Sequence, residues 1–467
     1  MKLVDYLKRL DLKISDSVLL EINKVTCDSR KCDCNSLYIN VNNDYLLDAV
    51  KRGVQVVVSS SYIEISNLIV IYVKDIKSFY FQALRAFYNI DHGIKIGVTG
   101  TCGKTTTVTL LYESLKRTGK DLLLISSNGN YVFVNNTETF YETVNTTPNI
   151  EVIYELIDKY NYDYVIIEVS SQGLMMNRLE GIYFDVCCFL NLSNEHLDYH
   201  MTLSSYLNAK MKLFKKLKTG GIGLVNYHSK FKDLFYLDNS LVYSFGIDKG
   251  DYKISVVQAS LEKMKLKIMD KDASTYLTGD YNAENISCVN GLLNVLGIES
   301  KYLIDVLNDG FKMNGRFEII EFLDNKIIVD FAHTEKEVEV LLKHLKRFES
   351  YYNHLYLIVG CGGDRDKTKR PIIGRLCVNN GDFVIFTEDN NRSEKGIDII
   401  NDMTRDLNKE NFLSILNRYE AIKYGISLLN HNDLLVIIGK GIDKSFVNNK
   451  WLSDSEIVKE VINSELN

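Results

Sequence analysis

With 467 residues the chain has room for about three domains, and its 46% hydrophobic and 25% charged content is that of a globular protein in water. A formal net charge of -6 leaves no bulk positive field to hold nucleic acid or an anionic membrane, and no stretch reaches the roughly 18 apolar residues of a membrane span. The opening Met1-Lys2-Leu3-Val4-Asp5 lacks the apolar core of a signal peptide, and the nine cysteines show no disulfide or zinc spacing. A cytoplasmic protein is therefore expected.

In chain order, Ser36–Val41, Val54–Val58 and Leu68–Val73 read as strands, with a helix over Leu47–Arg52 and another over Ser78–Tyr88. Residues 1–88 thus form a small α/β domain. From 89 to 311 the pattern is that of a central phosphate-loop domain. Strand Ile94–Val98 leads into a glycine-rich loop and the helix Thr107–Lys116. Strand Leu122–Ser126, helix Glu151–Tyr160 and the strands Tyr164–Val169, Val186–Leu190 and Gly223–Val225 follow. Continuous apolar strands alternating with helices predict a parallel sheet covered on both faces. Leu241–Leu277 adds short alternating runs that fit antiparallel strands. The pattern restarts in 312–467, where strands Lys326–Asp330, Leu355–Val359, Phe383–Thr387 and Leu434–Ile438 alternate with helices such as Lys336–Phe348. That is a third, Rossmann-like domain.

The chemistry begins at Gly97-Val98-Thr99-Gly100-Thr101-Cys102-Gly103-Lys104-Thr105-Thr106-Thr107. Glycines there let backbone N–H groups turn toward a phosphate, the lysine reaches the terminal phosphates, and a threonine hydroxyl suits Mg²⁺. Glu168 closes an apolar strand, where ligands of open α/β sheets gather, and offers a carboxylate for a metal. A second strand ends in Asn191-Leu192-Ser193-Asn194-Glu195-His196-Leu197-Asp198-Tyr199-His200, and an amphipathic helix with Tyr206, Lys210 and Phe214 comes next.

These motifs, in this order, resemble the Mur ligase family. The resemblance is carried by the phosphate loop, Asn145-Thr146-Thr147-Pro148, Glu168-Val169-Ser170-Ser171, the His196 loop and the Lys210 helix. It continues through Asn282-x-x-Asn285, Gly315-Arg316-Phe317-Glu318, Asp330-Phe331-Ala332-His333, Gly360 to Pro371 and Asp389-Asn390-x-Arg392, with Cys27-Asp28-Ser29-Arg30 near the start. It implies three α/β domains and an ATP-dependent, Mg²⁺-dependent amide ligase adding the third residue of the peptidoglycan stem peptide. Gly100, Thr101, Cys102, Gly103, Lys104, Thr105 and Thr106 are implied at ATP, with Asn282, Arg316 and Asp330 on the nucleoside side. Thr105, Glu168, His196 and a carbamylated Lys210 are implied at the metals, with Lys104, Lys210 and His196 as the catalytic set. Cys27, Ser29, Asn145, Thr146, Thr147, Ser170, Met176 and Arg178 match the UDP-muramoyl-dipeptide side, and Arg370, Asp389, Asn390, Asn391, Arg392, Gly439 and Asp443 match the pocket for the incoming amino acid.

Some positions depart from the family pattern. Cys102 stands where asparagine is usual, Gln172 where histidine is, and Glu195 where aspartate is; Asn391 replaces a proline, and Asp443 an acid one methylene longer. Arg392 is retained, and a guanidinium binds a second carboxylate in bidentate fashion. That favours meso-diaminopimelate as the incoming amino acid over lysine or another diamino acid. A ligase of the same type serving another pathway is the remaining alternative.

Overall fold

The computed structural model describes residues 1–12, 19–195, 197–236, 240–408, 410–447 and 449–465. The chain forms two compact units. One comprises Met1–Gly97, Thr118–Val186 and Lys215–Gly221; the other comprises Val98–Arg117, Cys187–Phe214 and Ile222–Asn467.

In the first unit, strands Lys24–Thr26, Ser36–Ile39, Val56–Ser59 and Ile69–Tyr72 pair in sequence order as a parallel four-stranded sheet. Each connection brings the chain back to start the next strand in the same direction. Helix Ile76–Phe87 starts where Asp75 accepts hydrogen bonds from the N–H groups of Lys77 and Ser78, and it buries Phe79, Tyr80, Ala83 and Leu84 on one face. Strand Tyr164–Glu168, buried throughout, pairs parallel with Leu122–Ser126. Two antiparallel strands that the sequence reading did not expect, Gly129–Val134 and Thr137–Tyr141, extend that edge. Their turn is Asn135-Asn136, with φ of 51° and 60°. Two successive left-handed residues make the tight hairpin turn whose twist matches the strands, and asparagine tolerates that conformation better than most residues.

In the second unit, Ile222–Asn226 of strand Leu217–Asn226, Leu241–Ile247, Tyr252–Ala259, Met264–Ile268 and Lys271–Thr275 are neighbours in that order. The last two pairings are antiparallel, the few antiparallel strands expected of this stretch, while Leu241–Ile247 runs parallel to both of its partners.

A six-stranded sheet follows, ordered Glu318–Phe322, Asn325–Asp330, Leu434–Ile438, Leu355–Val359, Phe383–Phe386 and Phe412–Ser414. Its first pairing is antiparallel and the rest are parallel. Alternation along the strands divides the core. Ile328, Leu357, Val384 and Val436 pack on one face, beneath residues of the helices Glu335–Lys346, Lys369–Asn380 and Gly396–Thr404. Ile327, Ile358, Ile385 and Leu435 pack on the other, beneath Arg418–Ser427 and Asp454–Glu465. This is the doubly wound arrangement expected, and it sends Asp330, Gly360, Asp389 and Gly439 to the carboxyl ends of neighbouring strands. No described helix is long and apolar enough to cross a membrane.

Candidate active site

The phosphate loop takes the form its glycines predict. Gly103 has φ of 83° immediately before helix Lys104–Lys116, and a Cβ there would lie 2.3 Å from Oδ1 of Asn285. Glycine is therefore required both for the backbone turn and for the close approach. Lys104 folds back over the loop, its Nζ donating to the carbonyls of Gly100 at 2.9 Å and Thr101 at 2.6 Å. The N–H groups of Thr101 and Cys102 converge on Oδ1 of Asn191 at 3.1 and 2.9 Å, and the Asn191 amide donates to the Cys102 carbonyl at 3.1 Å. One side chain from the end of a neighbouring strand thus sets the curvature of the loop. Thr105 and Thr106 are buried in the first turn of the helix.

Lys210, on helix Leu203–Phe214, is 1% exposed. Its Nζ donates to the Gly100 carbonyl at 2.7 Å and sits 4.2 Å from the centre of the Tyr206 ring. Burial, and then the charge of Lys104, push its pKa well below that of an ordinary lysine. A neutral amine has a lone pair with which to attack CO₂, which is what carbamate formation needs. His196 lies outside the described residues. Burial, then the carboxylates of Glu337 and Glu195, raise the Cys102 thiol pKa and disfavour its thiolate.

Glu195, His333 and Glu337 form a line of charge beside the loop. His333 Nε2 lies 3.5 Å from Glu195 and its Nδ1 3.2 Å from Glu337. Burial opposes a charge on His333, but Glu337 and Glu195 outweigh it and hold its pKa above the usual value. Glu337 also closes a capping box with Thr334 at the start of its helix. Asp330 accepts from the N–H groups of Phe317 at 2.7 Å and Ala332 at 2.8 Å, and burial raises its pKa against the pull of Arg316. The Arg316 guanidinium stacks 4.2 Å from the centre of the Phe331 ring, and Asn282 accepts from Asn285 while donating to the Thr278 carbonyl.

In the first unit, Glu168 is 1% exposed and accepts from both the N–H and the hydroxyl of Ser127, at 2.9 and 3.0 Å. The same serine hydroxyl donates to Thr146 at 3.2 Å. Thr147 donates to the Glu168 carbonyl and receives both the N–H and the hydroxyl of Ser170. Arg178 donates to the Thr147 carbonyl at 2.8 Å and to Met176 Sδ at 3.3 Å. Thr146, Thr147, Glu168, Ser170, Met176 and Arg178 are therefore one hydrogen-bonded group, with Asn145 exposed at its edge. Near the N-terminus, Glu151 is buried and accepts from Thr26 Oγ1 at 2.8 Å, the Cys27 N–H at 2.8 Å and the Tyr80 hydroxyl at 2.7 Å. This fixes the loop that carries Cys27 and the buried Ser29.

On the C-terminal sheet, Asp389, Asn390, Asn391 and Arg392 line a cavity of about 530 Å³. Asn390 donates to Asp443 at 3.0 Å, and burial followed by the nearby Asp389 raises the Asp443 pKa. A Cβ on Gly439 would come within 2.9 Å of Asp389, so the strand end needs glycine. Arg392, itself left-handed at φ of 50°, donates to the Gly363 carbonyl. Arg370 differs from the expectation for the pocket. It is fully buried, with its guanidinium committed to Glu394 at 2.8 and 3.0 Å, Asp402 at 2.9 Å and the Gly362 carbonyl at 3.3 Å. Its hydrogen bonds hold the Glu394 carboxyl well below the usual range. Arg365, five residues earlier, is exposed and makes no hydrogen bond or ion pair among the described residues.

Two family models match the chain, "Mur ligase middle domain" over residues 98–293 and "Mur ligase, glutamate ligase domain" over residues 315–441. The UDP-N-acetylmuramoyl-L-alanyl-D-glutamate--2,6-diaminopimelate ligase of Parabacteroides distasonis is 33% identical over 445 residues, 90% of either chain. The chain belongs to the Mur ligase family. As a Mur ligase it is an enzyme of the ATP-using class, with three α/β domains. A solved structure of a UDP-N-acetylmuramoyl-L-alanyl-D-glutamate--2,6-diaminopimelate ligase covers 100% of both chains at 25% identity, with a TM-score of 0.66. Thermotoga maritima MurF ligase, solved in complex with ADP, shares the fold at 17% identity, covering 97% of this chain and 99% of its own, with a TM-score of 0.67.

Several supporting residues of this Mur ligase were not singled out from the sequence. Asn191 lies in a polar loop directly after an apolar strand, where an amide is a signal for a strand-end role. The link from Glu195 to His333 spans 138 positions and has no local sequence signature.

Proposed function

We propose that this protein adds meso-diaminopimelate to UDP-N-acetylmuramoyl-L-alanyl-D-glutamate at the expense of ATP, working as a cytoplasmic monomer in peptidoglycan synthesis. The γ-phosphoryl group of ATP passes to the D-glutamyl carboxylate, giving ADP and an acyl phosphate. An unprotonated amine of the amino acid then attacks the acyl carbon, and the tetrahedral intermediate expels phosphate to leave the amide. Lys104 and the N–H groups of the glycine loop suit the charge of the transferring phosphoryl group. Asn282, Arg316 and Asp330 suit the nucleoside, and Arg178, Thr147 and Ser170 the muramoyl-dipeptide.

Magnesium takes hard oxygen donors, and the chain offers the Thr105 hydroxyl and the Glu168 carboxylate. Lys210, with its depressed pKa, would add an oxygen donor beside the phosphate loop once its nitrogen adds to CO₂ and loses a proton to become a carbamate. Bound magnesium would neutralise phosphate charge during the transfer.

The observation that carries the choice of amino acid is Arg392 lining the same cavity as Asp389 and Asn390. A guanidinium and a carboxylate lining one cavity match the second carboxylate and second ammonium of diaminopimelate; lysine would leave the guanidinium unpaired. Phosphate release with UDP-muramoyl-dipeptide, ATP and a panel of amino acids tests this reading. Release is expected with meso-diaminopimelate and far less with L-lysine; the reverse order would overturn the choice of substrate.

A further inference from the structure

The chain's only tryptophan stands in a place that no motif explains. The antiparallel hairpin Ser445–Val447 and Lys450–Leu452 places Phe446 directly opposite Trp451, with ring centroids 5.3 Å apart. Val447 and Leu452 pack against the core of the C-terminal sheet. Side chains alternate across a strand, so Phe446 and Trp451 face away from that core and are 60% and 63% exposed. Both line the cavity already lined by Asp389, Asn390 and Arg392.

The hairpin is tied in position from the cavity side as well. Lys440, 3% exposed, donates to Ser445 Oγ at 2.8 Å and to the Lys444 carbonyl at 3.3 Å. A paired aromatic face left open beside charged groups gains nothing for the fold, since its apolar area stays in water. It gains when a ligand with an aliphatic body and charged ends covers it.

We propose that Phe446 and Trp451 form the apolar wall of the incoming amino-acid site. They cover the methylene chain of a diamino dicarboxylic acid while Arg392 and Asp389 take its charged end. The inference rests on the ligase reading above and deepens it, making the aromatic pair a determinant of affinity for the amino acid alone. The cavity volume lies in the range of small-molecule sites, and aromatic side chains pair a large apolar surface with affinity for a nearby ammonium.

Because Trp451 is the only indole, its fluorescence reports on this wall. With UDP-muramoyl-dipeptide and a non-hydrolysable ATP analogue present, meso-diaminopimelate is expected to change the emission saturably, and L-alanine is not. In steady-state assays Trp451→Ala is expected to raise the KM for the amino acid about tenfold, the order of one lost aromatic contact. Trp451→Phe should recover most of that loss, and the KM values for ATP and the UDP substrate should stay at wild-type levels. The side chain is largely exposed, so folding does not depend on it. Unchanged emission, or an unchanged amino-acid KM in Trp451→Ala with an active wild-type enzyme, overturns the wall and leaves the ligase reading standing. A wild-type enzyme that releases no phosphate with any amino acid overturns both.

Discussion

Lys210 and Arg392 are the residues whose surroundings say most about the chemistry. A lysine ammonium held in a buried site beside a second lysine is unfavourable, and the Lys210 Nζ meets the Gly100 carbonyl and the Tyr206 ring there. Conversion to a carbamate replaces that cost with a carboxylate able to join a metal. Protein equilibrated with ¹³C-bicarbonate is expected to show a carbamate carbon that disappears in Lys210→Ala. The variant should lose roughly a hundredfold or more of its activity, the scale of a lost metal-supporting group, and recover part of it with added formate or acetate. Full activity without rescue would remove the carbamate from the account. Arg392→Ala should raise the KM for meso-diaminopimelate by roughly tenfold or more, the weight of a lost charge-assisted pair, with the KM for ATP unchanged. Equal changes in both would point to damage beyond the pocket. Of these two roles, Arg392 was legible from its motif alone. The commitment of Arg370 to Glu394 and Asp402 was not, because its acidic partners lie 24 and 32 positions away.

At the scale of elements, helix Glu335–Lys346 begins at the capping box beside His333 and ends near His344. His344 packs edge-on against Phe317 and Phe348, with Nε2 3.3 Å from the Thr278 hydroxyl. Burial lowers its pKa from 6.5 to about 4. Between those values the unfolded chain binds the proton that the native chain refuses, so stability falls as pH drops through that window and is fully present above it. The expected loss from this residue at pH 5 is ~2 kcal/mol. Thermal melts at pH 7 and pH 5 should therefore differ less for His344→Phe than for the wild type; an equal difference would place the acid sensitivity elsewhere.

Apolar periodicity made the buried parallel strands readable, among them Val56–Ser59, Tyr164–Glu168 and Leu434–Ile438, since each is buried along its whole length and reads as a continuous run. The hairpin strand Thr137–Tyr141 was missed because it is exposed along most of its length and carries no such run. The Asn135-Asn136 turn was the available signal. The parallel pairing of Leu241–Ile247 with Tyr252–Ala259 was missed for another reason: alternation fixes which face a residue takes and leaves strand direction open.

For the whole molecule, ordered motifs spread from Cys27 to Asp443 identified a ligase family before any contact was known, because many of them sit at turns or strand ends where few residue types satisfy the backbone. What they could not supply was the geometry of support: Asn191 under the phosphate loop, Glu151 under the Cys27 loop, and the aromatic hairpin beside Arg392. These contacts join residues far apart in sequence, and packing alone brings them together. The central claim is that this enzyme joins meso-diaminopimelate to the D-glutamyl carboxylate of the UDP-muramoyl-dipeptide. The most direct measurement is mass spectrometry of the nucleotide product when equal amounts of meso-diaminopimelate and L-lysine compete in one reaction with ATP. A UDP-muramoyl-tripeptide carrying diaminopimelate is expected as the dominant product. A product carrying lysine, or no ATP-dependent product at all, would contradict it.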